Sequence, residues 1–190
     1  WMGYSIHSGD REFGVPDEYP LGASGTRIDE NGKKYIRVKG VRWYTNIDHG
    51  HRHSAKNFMT MADNIKFSKH KEVQGRPYQH FDNFDAIEVP YTDAIPCDYE
   101  GRMGVPISFL DKYCPEQFEI MGITQSWFGM ASKIYPKQIQ VGKNGKKTVV
   151  TKLDDGAAIE LPGPDDGEVY YIVDGHYYTK AYARILIRKK

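Results

Sequence analysis

Three turn dipeptides set the narrowest limits on how this chain can fold. Asn31-Gly32, Asn144-Gly145 and Asp174-Gly175 each stand between short runs rich in β-branched and aromatic residues. Asn-Gly and Asp-Gly supply the positive φ angles of tight reversals, so each predicts a β-hairpin. The first, read as a two-residue turn, leads from Arg27–Glu30 into Lys33–Lys39, where polar and apolar residues alternate. The second joins Gln138–Val141 to Thr148–Thr151, and the third joins Val169–Val173 to the run Tyr178–Ile187. A further strand, Val41–Ile47, follows Gly40. The 19 glycines and 10 prolines are spread out and cut the chain into many short segments. That pattern suits strands and loops.

Helical signals are sparse. Ser54–Phe67 can cap at Ser54, with Phe58, Met61, Ala62 and Ile65 at helical spacing. Ser108–Tyr113 is at most a short helix before Pro115, and Gly9–Ser24, with Pro16 and Pro20, reads as a surface loop. The expected class is α+β, strand-rich. A hydrophobic fraction of 39% and an aromatic fraction of 13% over 190 residues allow a real core and exclude a disordered chain. No stretch approaches the 18 apolar residues of a membrane span, and no basic, apolar-cored leader is present. Trp1 in place of Met fits a trimmed chain. Two cysteines, Cys97 and Cys114, are too few for a disulfide framework and match no zinc spacing. They read as reduced thiols of a cytoplasmic protein.

The net charge of +1 conceals strong segregation. Lys33–His80 carries 11 Lys and Arg against three acids, with aromatics interleaved, whereas Phe81–Ile120 carries nine acids and two bases. Lys137–Lys152 holds five lysines and no acid, and Leu153–Glu168 holds six acids and no base. Such blocks create local potentials that a sum hides. Basic residues among aromatics suit phosphate contact combined with base stacking. A lopsided solvated face is the plainer reading, and the lysine hairpin stands evenly between the two.

His49, His51 and His53 alternate and would share a strand face, but Gly50 and Arg52 interrupt them, and a cation opposes a divalent ion. No metal site is expected; a solvated or phosphate-facing loop fits better. Gly142–Thr148 lacks the spacing of a phosphate-binding loop and lies in a hairpin. The usual hydrolase, zinc-protease and redox motifs are absent. In Arg42-Trp43-Tyr44, spacing alone favours a core aromatic over an exposed stacking platform.

Several longer strings point further. Lys39–Asp48 resembles the W-[FY]-T-N-[LI]-D segment of EcoRI-type adenine-specific DNA methyltransferases, and Phe81–Val89 resembles their Y-D-N-Y-D-A-I segment. Asp98–Tyr113, Pro115–Gly122 and Tyr182–Lys190 continue the resemblance in register, with Cys114 where the family usually has Asn. The resemblance implies methyl transfer from S-adenosylmethionine to N6 of an adenine flipped out of double-stranded DNA. The family's catalytic [ND]-P-P-[FY] tetrapeptide and glycine-containing cofactor motif are missing, and no Pro-Pro pair occurs anywhere. The chain is therefore expected to be the C-terminal portion of a longer enzyme, inactive alone, with the cofactor bound mainly by an upstream catalytic region.

On that view residues 1–56 are closing strands of a class I (Rossmann-like) methyltransferase sheet. Residues 57–190 are then a hairpin-rich target-recognition region. The resemblance makes Trp43 and Tyr44 the candidates for stacking on the flipped base. Arg42, Arg52, Lys56, Lys66, Lys69, Lys71 and Arg76 are the candidates for phosphate contacts. Arg102, a cation on a Gly-bounded loop in an acidic block, is the candidate for guanine readout, with an ion pair to Asp98 or Glu100 as the structural alternative. A non-catalytic nucleic-acid-binding module and a protein-interaction domain using its charge blocks are the rival functions.

Overall fold

The computed structural model describes residues 4–20, 25–45 and 53–190, with side chains described within 10–20, 25–39 and 53–190. The chain divides into two compact units, Trp1–His51 and Arg52–Lys190. The first holds an antiparallel sheet of β1 (Tyr4–Val15), β2 (Thr26–Ile28) and β3 (Lys34–Thr45) in the order β1-β3-β2. Gly9–Ser24, expected as a loop, is strand as far as Val15. Residues 10–14 are all exposed, so no buried side imposes alternation, and the prolines come only after the strand ends. Gly40 does not separate two strands either, since β3 runs unbroken through it. Gly9 pairs with Val41 and Arg11 with Val38, so Lys39 and Gly40 together face the single residue Asp10. Glycine here marks a β-bulge.

The two Asn-Gly hairpins share one geometry, and it is longer than a two-residue turn. Gly32 N–H donates to the Asp29 carbonyl at 3.0 Å, and Asp29 N–H to the Lys33 carbonyl at 2.9 Å. Gly145 N–H donates to Gly142 at 2.8 Å and Gly142 N–H to Lys146 at 2.9 Å in the same pattern. Gly32 and Gly145 have φ of 78° and 74°, the left-handed glycine that follows a type I turn in a bulged hairpin. Asp174-Gly175 is the true two-residue turn, with positive φ at both positions between the paired Val173 and His176.

The second unit contains two sheets. The four-stranded one orders β4 (Ile87–Glu88), β5 (Met103–Val105), β12 (Ile185–Lys189) and β6 (Phe118–Ile123), with β4 and β5 parallel and the other pairs antiparallel. The five-stranded antiparallel sheet orders β8 (Lys147–Val150), β7 (Gln138–Val141), β10 (Tyr170–Val173), β11 (His176–Lys180) and β9 (Ala158–Leu161). Phe81, Phe84 and Ala86 bury themselves against Ile159 of one sheet, Ala157 just before its strand, and Leu186 of the other sheet. Asn83, fully buried, donates to the Gly156 carbonyl at 2.9 Å and accepts from Ala158 N–H at 2.8 Å. The Phe81–Val89 string is thus the joint between the sheets.

Helix α1 (Met61–Phe67) is half the length expected from Ser54. Thr60 Oγ1 caps it by accepting from Asp63 N–H at 3.1 Å, and the Asp98 carboxylate accepts from Met61 N–H at 2.7 Å. Phe58 instead packs edge-on against Phe118, with ring centres 5.7 Å apart. Tertiary packing therefore uses the residues that would have filled the first helical turns. Ile107–Lys112 forms a short 3₁₀ segment.

Candidate nucleic-acid interface

Most of the described basic candidates gather on α1 and the loop after it. Lys66 lies in the last turn of the helix with its ammonium 4.9 Å from the Phe67 ring centre, and Lys69, Lys71 and Arg76 follow within ten residues, all exposed. The loop is fixed from inside. Gly75 N–H donates to the Ile65 carbonyl at 2.8 Å, and the His70 carbonyl accepts from Val73 and Gln74. The His70 ring stacks flat on Tyr91, with centres 3.6 Å apart, and its Nε2 lies 2.8 Å from Asp93 Oδ1. Cations on such a preordered loop meet an anion with little further loss of freedom.

The candidates are not equivalent. Lys69 is held by Asp93 at 2.8 Å. Lys66 and Lys71 have no carboxylate partner among the described residues, whereas Arg76 lies near enough to Glu72 to help that residue's own backbone N–H hold its carboxyl below the usual range. Arg76 also lines a cavity of about 420 Å³ with Glu72, Tyr78, Gln79, Glu88 and Pro90. Burial pushes the Tyr78 hydroxyl up to about 12, so it stays a donor, to the Ala94 carbonyl at 2.6 Å. Lys56 stands apart from the loop. The Gln117 side chain grips its backbone at both ends, accepting from the Lys56 N–H at 2.8 Å and donating to its carbonyl at 2.7 Å. Its side chain is left exposed.

Arg102 pairs with neither of its expected partners. Its Nη1 lies 3.5 Å from Asp85 Oδ2, while Asp98 caps α1 and Glu100 takes Lys189 at 3.0 Å. Asp98 and Glu100 precede β5, and because β4 and β5 run parallel the residues just before each strand, Asp85 and Arg102, come side by side. Asp85 is 79% exposed, so the pair is open to water and readily exchanged. In the first unit, backbone pairing sets Arg42 opposite Ser8, Trp43 opposite His7 and Tyr44 opposite Ser5. The side chains of these three, all of Arg52, and His49 and His51 lie outside the described residues. Among the described residues no group of three or more metal-ligating side chains is gathered.

Two polar clusters escaped the sequence reading. Arg184 forks onto Glu88 with Nη2 to Oε1 at 2.6 Å and Nε to Oε2 at 3.1 Å, both side chains almost wholly buried. Burial pushes the Glu88 carboxyl above its usual range against the downward pull of Arg184. A lone arginine beside the apolar run Ile185–Ile187 was the available signal, but its partner is 96 residues away. In the second cluster Asp82 accepts from Lys133 Nζ and Tyr135 Oη, each at 2.6 Å.

Residues 1–190 match the family model described as adenine-specific methyltransferase EcoRI, and the chain belongs to that family. It is 38% identical over 121 residues to the Type II methyltransferase M.EcoRI of Escherichia coli, covering 64% of this chain and 34% of that protein. It is 34% identical over 123 residues to the Type II methyltransferase M.MgeORF184P of Mycoplasma genitalium, covering 64% and 36%. The Type II methyltransferase M.MpnI of Mycoplasma pneumoniae is 29% identical over a stretch of the same length. The matched stretch spans about a third of each of these relatives. No solved structure matches. Among the described residues no helix is long and apolar enough to cross a membrane.

Proposed function

We propose that this chain is the C-terminal, DNA-facing part of a site-specific adenine-N6 DNA methyltransferase. The observation that carries this reading is the family match along all 190 residues. The complete protein takes its methyl group from S-adenosylmethionine, which supplies an electrophilic methyl for the adenine amine. The described residues do not fit that cofactor. Of the two carboxylates lining the cavity beside Arg76, Glu88 is engaged by Arg184 and Glu72 by the Tyr91 hydroxyl, and no glycine-rich strand-to-helix turn is present among the described residues. Cofactor binding and methyl transfer therefore belong to the upstream region.

This chain's own residues hold the DNA and the displaced base. Trp43 or Tyr44 stacks on the flipped adenine, worth about 1–3 kcal/mol against a flipping cost of about a few kcal/mol. Arg42, Arg52, Lys56, Lys66, Lys69, Lys71 and Arg76 contact phosphates and fix register, and Arg102 releases Asp85 to read a guanine edge. Residues 1–56 close a class I methyltransferase sheet, and 57–190 form the target-recognition region.

The test uses the complete protein. Methylation mapping of DNA from cells carrying it should show N6-methyladenine at one recurring sequence. Trp43→Ala or Tyr44→Ala should lower turnover and the fluorescence of 2-aminopurine at the target position. Unmethylated DNA overturns the reading; wild-type turnover in both variants overturns the stacking role.

A further inference from the structure

We infer that the β7–β8 hairpin is a second DNA-binding arm, which lays Lys146 and Lys147 on the phosphates bordering the major groove of duplex DNA. This rests on the DNA-facing reading above and extends it to a surface that reading leaves unused. The hairpin joins two properties, a root held in the sheet and a tip that carries three lysines and no acid.

The root is locked into the five-stranded sheet. Gln138, fully buried, accepts from Leu153 N–H at 2.7 Å and donates to Asp154 Oδ2 at 2.5 Å. Val141 is buried against the sheet, and Val150 packs on the Leu153 and Tyr135 cluster. The turn is fixed as well, by the left-handed Gly145 and by Asn144 Oδ1, which accepts from Lys146 N–H at 3.1 Å. From Lys143 to Val149 every residue is exposed, and none is acidic. β8 is the edge strand of its sheet.

The neighbouring acids do not cancel this charge. Glu168 neutralises Lys143 at 2.8 Å, Glu160 faces His176 at 2.8 Å, and Asp154 is spent on Tyr135 N–H and Gln138. Lys146 and Lys147 have no carboxylate partner among the described residues. A two-stranded ribbon fits the B-DNA major groove, about 12 Å wide. Thr148 and Asn144 are further donors of the kind that contact phosphate. Edge strands often carry lysine simply to prevent strand addition. That role asks for charge on β8 but not for a locked root and turn.

The experiment measures duplex affinity of the complete protein against salt, for wild type and for Lys146→Gln with Lys147→Gln. Loss of two phosphate contacts should make the slope of log K against log salt shallower by about 1.8. The loss should be equal on specific and unrelated duplexes, and Lys146→Arg with Lys147→Arg should restore the slope. An unchanged slope in a folded variant overturns the arm while leaving the DNA reading intact, and aggregation without a slope change shows edge protection instead. Loss confined to RNA, or to one DNA sequence, also overturns it. Salt-independent wild-type binding overturns the underlying DNA reading itself.

Discussion

Arg184 and Glu88 meet in a buried fork that ties the approach to β12 to the end of β4. Removing one partner strands the other charge away from water. Arg184→Met should therefore cost about 3–5 kcal/mol in chemical denaturation. Glu88→Gln combined with Arg184→Met should recover much of that loss. A double variant as unstable as the single one would show that the guanidinium matters for packing rather than charge.

Asn83 carries the joint between the two sheets through its two hydrogen bonds to Gly156 and Ala158. Asn83→Ala leaves a buried carbonyl and a buried N–H unmatched, at about 1–3 kcal/mol each. The expected result is a large fall in the unfolding midpoint. Asn83→Asp keeps the acceptor, and its carboxyl can donate to Gly156 only when protonated, so with the proton on it should fall between wild type and alanine in midpoint. Its midpoint should therefore rise as pH is lowered toward 4.

A Cβ on Gly104 would lie 2.5 Å from the Phe81 ring, which is itself buried. Gly104→Ala should destabilise by about 1–3 kcal/mol through overpacking. Phe81→Leu opens that space, so the two substitutions together should cost less than their sum. Strict additivity in the double-variant cycle would contradict the contact.

Asp82 sets an acid limit on stability. Burial raises its pKa, but the hydrogen bonds from Lys133 and Tyr135 outweigh this and hold the carboxyl below its ordinary 3.8. As pH falls the unfolded chain takes up the proton first. The stabilisation is present above the ordinary value and is lost as pH drops through the lowered folded one. Denaturation midpoints followed from pH 7 to 3 should show this acid limb, and Asp82→Asn should flatten it.

Lys71 and Lys69 should differ as phosphate ligands. Lys71→Gln should make the salt slope of duplex binding shallower by about 0.9. Lys69→Gln should change it less, because Lys69 surrenders Asp93 before it reaches a phosphate. Equal changes would show that the Asp93 pair has no hold on the lysine in solution.

The hairpins were legible in the sequence because a left-handed residue has a strong compositional signature. Asn144-Gly145 located its turn to the residue, although the bulged form was hidden by the same dipeptide serving both turn types. β1 was illegible because its exposed residues carry no alternation. α1 is shorter than its spacing predicts because Phe58 obeys helical spacing while packing on Phe118. Four of the five strings that carry the family resemblance have a shared place, while Lys39–Asp48 enters β3 of the other unit. Phe81–Val89, Asp98–Tyr113, Pro115–Gly122 and Tyr182–Lys190 supply β4, β5, most of β6 and β12, a single sheet. They report scaffold more than chemistry. The basic loop was visible as charge, but its ordering by His70 and Tyr91 depends on contacts that no local pattern announces.

The position of β12 between β5 and β6 also bears on how the unit is made. A nascent chain that has emerged only as far as Lys180 holds both flanking strands and lacks the one that joins them. Until Ile185–Lys189 clears the ribosome, two apolar edges stand open side by side. This sheet is therefore completed only after its other strands are synthesised, and during that interval its unpaired edges are exposed to misassociation.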